Sequence, residues 1–159
     1  MKGLVNILII FIFSMTACQQ NTETIEKEYL KSAIKEANFE GNYQWIVVLP
    51  GLGCHGCIQG AEVFMKDFIT DKRVLFVLTK VTSIKILQQK IDIRINEHSN
   101  IFVDRDNLFD IPTDNRIYPF VIHLKDGKVL KHSFQNPQND ALYQLEQQLK
   151  LESNKKNIL

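Results

Sequence analysis

The residues best suited to chemistry in this chain are Cys54 and Cys57, in the run Gly53-Cys54-His55-Gly56-Cys57. They follow the apolar stretch Trp45-Ile46-Val47-Val48-Leu49-Pro50. Cysteines separated by two residues can close a small disulfide loop. The hydropathy pattern puts both sulfurs where a strand gives way to a helix. A helix N-terminus carries about half a positive charge, which favours a thiolate over a thiol. A nucleophilic sulfur with a second sulfur beside it is what thiol–disulfide exchange requires. His55 lies between the two, where a protonated imidazole would stabilise a thiolate and make the disulfide more oxidising.

The N-terminal residues indicate where such chemistry would take place. Met1-Lys2 is a short basic start, and Leu4–Phe13 is apolar apart from Asn6. That length suits a signal-peptide core better than a membrane span. Ser14-Met15-Thr16-Ala17-Cys18 follows. It resembles the lipobox of bacterial lipoproteins, with Met15 where leucine is usual. The resemblance implies a leader over residues 1–17, cleavage before Cys18 and lipid attachment to Cys18. The chain has three cysteines, an odd number for an exported protein. With Cys18 lipidated, Cys54 and Cys57 are left as a pair, in a compartment where disulfides persist. The formal charge is +1. Loss of Lys2 with the leader brings it to zero, so there is no basic excess for nucleic acid.

The remaining elements read as a single α/β domain. Residues 18–24 are polar and read as a tether. Ile25, Tyr29, Leu30, Ala33, Ile34 and Ala37 mark one apolar face of a helix that ends at Gly41-Asn42. Trp45–Leu49 and Val74–Leu78 are continuous apolar runs, as in strands covered on both faces. Between them Ala61, Phe64, Met65, Phe68 and Ile69 form a helical stripe. Ser83 can cap a helix carrying Ile84, Leu87 and Ile91. A short strand, Ile101–Val103, comes next. Phe120–Leu124 and Val129–Phe134 flank Lys125-Asp126-Gly127-Lys128, a strong hairpin signal. Leu142, Leu145 and Leu149 mark a last helix, and residues 153–159 a polar tail. The expected fold is a mixed central sheet flanked by helices and preceded by an N-terminal helix, over residues 25–152.

A strand, C-x-x-C at a helix start, a βαβ crossover, then Tyr118-Pro119 opening a terminal hairpin and a closing helix: this order resembles the thioredoxin superfamily. It is closest in style to the membrane-tethered, TlpA-like extracytoplasmic members. The resemblance covers roughly Tyr43 to Leu149. It implies a thioredoxin-like fold with Cys54 as the attacking thiolate and Cys57 as the resolving thiol. Pro119 would be a cis-proline facing the disulfide, and the Tyr118 backbone would pair with an extended substrate. Protein thiols and disulfides would be the substrates, no cofactor would be needed, and a membrane or envelope redox partner would recycle the pair.

The chain departs from that pattern at several points. Gly53 stands where thioredoxins usually have tryptophan, and His55-Gly56 replaces Gly-Pro. The acid that the family often buries would fall near Val48, leaving no carboxylate to assist Cys57.

Other chemistry finds less support. Cys54, His55 and Cys57 could hold a soft metal such as copper(I), but a zinc site wants four ligands and no second C-x-x-C is present. Counting back from Asp126-Gly127 places Val121 opposite His132, so that His123 and His132 share a sheet face as solvated edge histidines. His98 has no evident partner. There is no Gly-rich phosphate loop and no nucleophile elbow. The expectation is an extracytoplasmic thiol–disulfide oxidoreductase, lipid-anchored in a bacterial cell envelope. Its rivals are a tethered binding module with a structural disulfide and a copper-handling protein.

Overall fold

A computed structural model describes residues 21–156. The leader over residues 1–17 and the lipid-attachment residue Cys18 lie outside the described residues. Helix α1 occupies 21–37. It is followed by β1 (Trp45–Pro50), α2 (His55–Phe68), β2 (Val74–Thr79), α3 (Ile84–Ile91) and β3 (Ile101–Asp104). The hairpin β4 (Phe120–Lys125) and β5 (Lys128–Phe134) comes next, and α4 (Ala141–Lys156) closes the domain. The five strands form one mixed sheet in the order β3-β2-β1-β4-β5. β1, β2 and β3 are parallel, β4 runs antiparallel to β1, and β5 runs antiparallel to β4.

β1 is central, and its six residues are all buried. Trp45, Val47 and Leu49 face one side, packed with Ala61, Phe64 and Met65 of α2 and Leu142, Leu145 and Leu149 of α4. Ile46 and Val48 face the other side, with Leu30 and Ala33 of α1 and with Phe109 and Ile111 of the segment before β4. Alternation still governs the strand, but both faces are covered, so the sequence shows an unbroken apolar run. Ser83 caps α3 as expected, its Oγ accepting from the Ile86 N–H at 3.3 Å. At the hairpin tip Asp126 and Gly127 have φ of 52° and 72°, the left-handed pair that a two-residue turn needs.

The described elements correct the sequence reading at both helical ends of the domain and in the hairpin. Residues 21–24, expected as tether, are already helical. Residues 153–156, expected as tail, continue α4. Arg73 holds that end: its guanidinium donates to the Leu149 carbonyl and to Ser153 Oγ, each at 3.1 Å, and pairs with Glu152 at 3.0 Å. Asp71 in turn grips Arg73 at 2.6 Å, and the hydrogen bond holds the Asp71 carboxyl below its usual range. The hairpin register also differs. Leu124 faces Val129 as expected, but a bulge shifts the pairing, so that His123 opposes Lys131 and Ile122 opposes His132. One extra β5 residue, Leu130, lies in the bulge and is absent from the register.

Helix α1 is part of this domain rather than an appendage, because Leu30 is fully buried against the sheet. Leu30→Ala is expected to lower the unfolding free energy by about 2–5 kcal/mol, read as an earlier denaturant midpoint. No change would mean that α1 does not pack in solution.

Candidate active site

Two glycines shape the turn between β1 and α2. The Gly51 N–H donates to the Thr79 carbonyl at 2.8 Å, and a Cβ at Gly51 would collide with the Lys80 carbonyl. Gly53 has φ of 149°, and a Cβ there would collide with the Ile117 carbonyl. That carbonyl accepts the Cys54 N–H at 2.9 Å. The turn is therefore wedged between the start of the β2–α3 loop on one side and the loop before β4 on the other.

Cys54 is the N-cap of α2, with extended backbone and no side-chain cap bond. It is disulfide-bonded to Cys57, one turn into the helix, with a Cα–Cα distance of 5.3 Å. Both cysteines are half-buried. No acidic residue lies in the first turn of α2 to offset the positive end of the helix. On reduction the Cys54 sulfur would sit beside free N–H groups of that turn, which favours its thiolate. His55 opens α2 and is exposed. Its charge would reach Cys54 through solvent, so any tuning is weakened by screening.

The loop before β4 arrives at the sulfurs by a different route from the one expected. No peptide bond among the described residues is cis, so Tyr118–Pro119 is trans. The sharp bend comes instead from the 3-10 turn Asp114–Ile117, in which Arg116 N–H donates to the Thr113 carbonyl and Tyr118 N–H to the Asn115 carbonyl. With the chain already turned there, a cis bond is not required. Pro119 is buried, and its carbonyl accepts from the Gln135 N–H at 2.7 Å. The Tyr118 N–H is spent on Asn115 and is not free for a substrate strand. Ile117, which the sequence reading passed over, supplies the backbone group that meets Cys54.

Three carboxylate residues are buried among the described residues, Glu26, Glu62 and Asp104, none of them where the resemblance put one. Val48 lies in the apolar layer beneath α1. The most deeply buried is Glu26 of α1, 2% exposed. Its Oε1 accepts from Thr113 Oγ1 at 2.6 Å and Asn115 Nδ2 at 2.8 Å, and its Oε2 lies 2.9 Å from His132 Nε2. All three partners are thus held on one side chain, and two of them belong to the turn that carries Ile117. The sequence signal was a phase error of one residue. Glu26, Leu30, Ala33 and Ala37 form the inward stripe of α1, whereas Ile25 is exposed.

The histidines divide between the two faces of the sheet. His132 is not solvated: its side chain and that of Glu26 are each 3% exposed. His123 stacks on Trp45 across the sheet's other face, with ring centroids 4.0 Å apart and planes 12° apart. Burial, then the charge of Lys131, pushes its pKa below the usual histidine value. The bulge at His123/Leu124 accounts for the separation, since a one-residue shift moves a side chain to the opposite face. His98 is half-buried. Among the described residues no three His, Cys, Asp or Glu side chains gather into a metal site. No helix among them is long and apolar enough to cross a membrane.

No protein-family model matches this chain, no curated protein matches it, and no solved structure matches it. The α/β fold, its mixed sheet and the cysteine pair therefore stand on their own geometry.

Gly53→Ala is expected to lower stability by about 2–4 kcal/mol, because it combines backbone strain with a collision against a carbonyl. Gly60→Ala provides the contrast. It lies within α2 with nothing within 4 Å of a new Cβ, and should gain about 0.5–1 kcal/mol. Thermal unfolding of the two variants checks both signs.

Proposed function

We propose that this protein is a thiol–disulfide oxidoreductase of thioredoxin-like architecture. More particularly, it is read as a lipid-anchored member of a bacterial cell envelope, working outside the cytoplasm. The observation that carries the reading is the Cys54–Cys57 disulfide at the N-terminus of α2, with Cys54 as N-cap and its N–H held by the Ile117 carbonyl. A disulfide there spans one helical turn and ties no distant segments together, so it contributes little to holding the fold. Its sulfurs sit where a thiolate is stabilised and where a half-buried side chain can be reached.

The parallel β1-α2-β2 unit, the terminal antiparallel hairpin and the closing helix support the thioredoxin-like reading. The trans Pro119 and the occupied Tyr118 N–H set it apart from that family's usual substrate cradle. Export and the lipid anchor rest on the leader-like segment, on Thr16-Ala17-Cys18 and on the odd cysteine count.

In the exchange step a substrate thiolate attacks Cys54 Sγ. A mixed disulfide forms, the Cys54–Cys57 bond breaks, and Cys57 leaves as the thiolate. A second substrate thiol then displaces Cys54, so the substrate is oxidised and the pair reduced. The reverse sequence reduces a substrate disulfide.

Removing the resolving sulfur tests this directly. With Cys57→Ser, mixed disulfides through Cys54 should accumulate on non-reducing gels and vanish with dithiothreitol. Cys54→Ser should yield none. If neither variant traps a partner, exchange chemistry is refuted. Equal trapping by both would remove Cys54 from the attacking role.

A further inference from the structure

Leu52 is an apolar side chain in a turn whose backbone is held on both sides. Its two neighbours are both wedged, Gly51 against the Lys80 carbonyl and Gly53 against the Ile117 carbonyl. The residue between them projects into solvent and is 62% exposed. Across from it on α3, Ile86 is 66% exposed. Between these lips runs a cavity of about 360 Å³. Ile58, Val81 and Leu87 line it, together with Gly53 and His55, the residues on either side of Cys54.

The charges in the cavity cancel. Glu62 meets Lys90 at both carboxylate oxygens, at 2.8 and 2.6 Å. What remains is apolar, apart from short polar side chains and the His55 imidazole. A small anionic thiol such as glutathione would find the one lining lysine, Lys90, already paired with Glu62. The volume suits one or two large apolar side chains. Successive residues of a polypeptide lie 3.8 Å apart, so a substrate cysteine engaged with Cys54 brings its neighbours to the cavity mouth.

We propose that this cavity selects the substrate: it seats an apolar side chain adjacent to the reacting cysteine of a polypeptide, with Leu52 and Ile86 closing over it. The proposal rests on the redox reading above. It places recognition on the α2–α3 side of the disulfide, away from the Pro119 loop. Leu52 and Ile86 act as specificity-determining residues and take no part in the bond exchange.

The test uses the full chain with Cys18→Ser and Cys57→Ser, which leaves Cys54 as the sole thiol of the three cysteines. The probes are two short peptides, each carrying its cysteine as a mixed disulfide with thionitrobenzoate. One has Leu and Phe beside the cysteine and the other has Ser on both sides. Cys54 thiolate attacks the peptide sulfur, the Cys54–peptide bond forms, the peptide–aryl bond breaks, and the coloured aryl thiolate departs with the electron pair. The apolar peptide should react about tenfold faster. Leu52→Asn and Ile86→Asn should each abolish most of that preference, while Leu52→Met keeps it. All three should leave the rate with the small aryl disulfide itself within about twofold, and an unchanged circular dichroism spectrum and thermal midpoint show that the variants are folded. The proposal is overturned by equal rates for the two peptides, by a preference that survives both Asn substitutions, or by a glutathione mixed disulfide outrunning both peptides. No release even from the small aryl disulfide refutes the redox reading, and the cavity's role with it.

Discussion

The hydrogen bond from the Cys54 N–H to the Ile117 carbonyl is the contact on which the candidate site depends. It joins two loops far apart in sequence, and the sheet makes their meeting unavoidable. β1 and β4 are antiparallel neighbours, with Val48 opposite Phe120. The chain leaving β1 and the chain entering β4 therefore share one end of the sheet. The close approach leaves no room for a side chain at residue 53, and the φ of 149° there suits only glycine. Glycine at residue 53 thus follows from backbone crowding. The same crowding orients the N-cap at which Cys54 sits.

Ile117 is itself held by a device from the other end of the chain. Glu26 of α1 takes hydrogen bonds from Thr113 and Asn115, and His132 of β5 closes the cluster. A buried carboxylate is tolerable only when its oxygens are satisfied in this way. Losing one partner would leave a buried polar group unpaired, at about 1–3 kcal/mol or more for a charged group. α1 thereby couples to the site through the turn that carries Ile117. On the opposite edge, Lys80 pairs with Asp110 at 2.8 Å while its carbonyl abuts Gly51. Both flanks of the turn that carries Cys54 are thus fastened to the segment between β3 and β4.

The strands, the crossover helices and the hairpin tip were legible because each rests on local pattern: unbroken apolar runs, 3–4 spacing, Ser83 as cap, Asp126-Gly127 as turn. The cysteine pair was legible for the same reason. What was not legible depends on contacts between distant residues. The bulge between His123 and Leu124 changes register without a local signature, and it places His132 on the face where Glu26 lies. Glu26 carries no inward signal in the sequence, because Ile25 pulls the apparent apolar stripe one residue out of phase. The trans Pro119 follows from the 3-10 turn before it, whose hydrogen bonds no spacing rule revealed. Ile117 acts through its backbone carbonyl, a role to which side-chain identity gives no clue.

The account stands or falls on whether the Cys54–Cys57 bond is poised for exchange or serves only as a clasp. Equilibrating the full chain with graded glutathione redox buffers, and counting free thiols by alkylation, gives its reduction potential. A pair at a helix N-terminus whose reduced form is stabilised should titrate well above about −300 mV, within the range of exchange catalysts. A potential below about −300 mV, where structural disulfides resist the glutathione pool, would contradict the central claim.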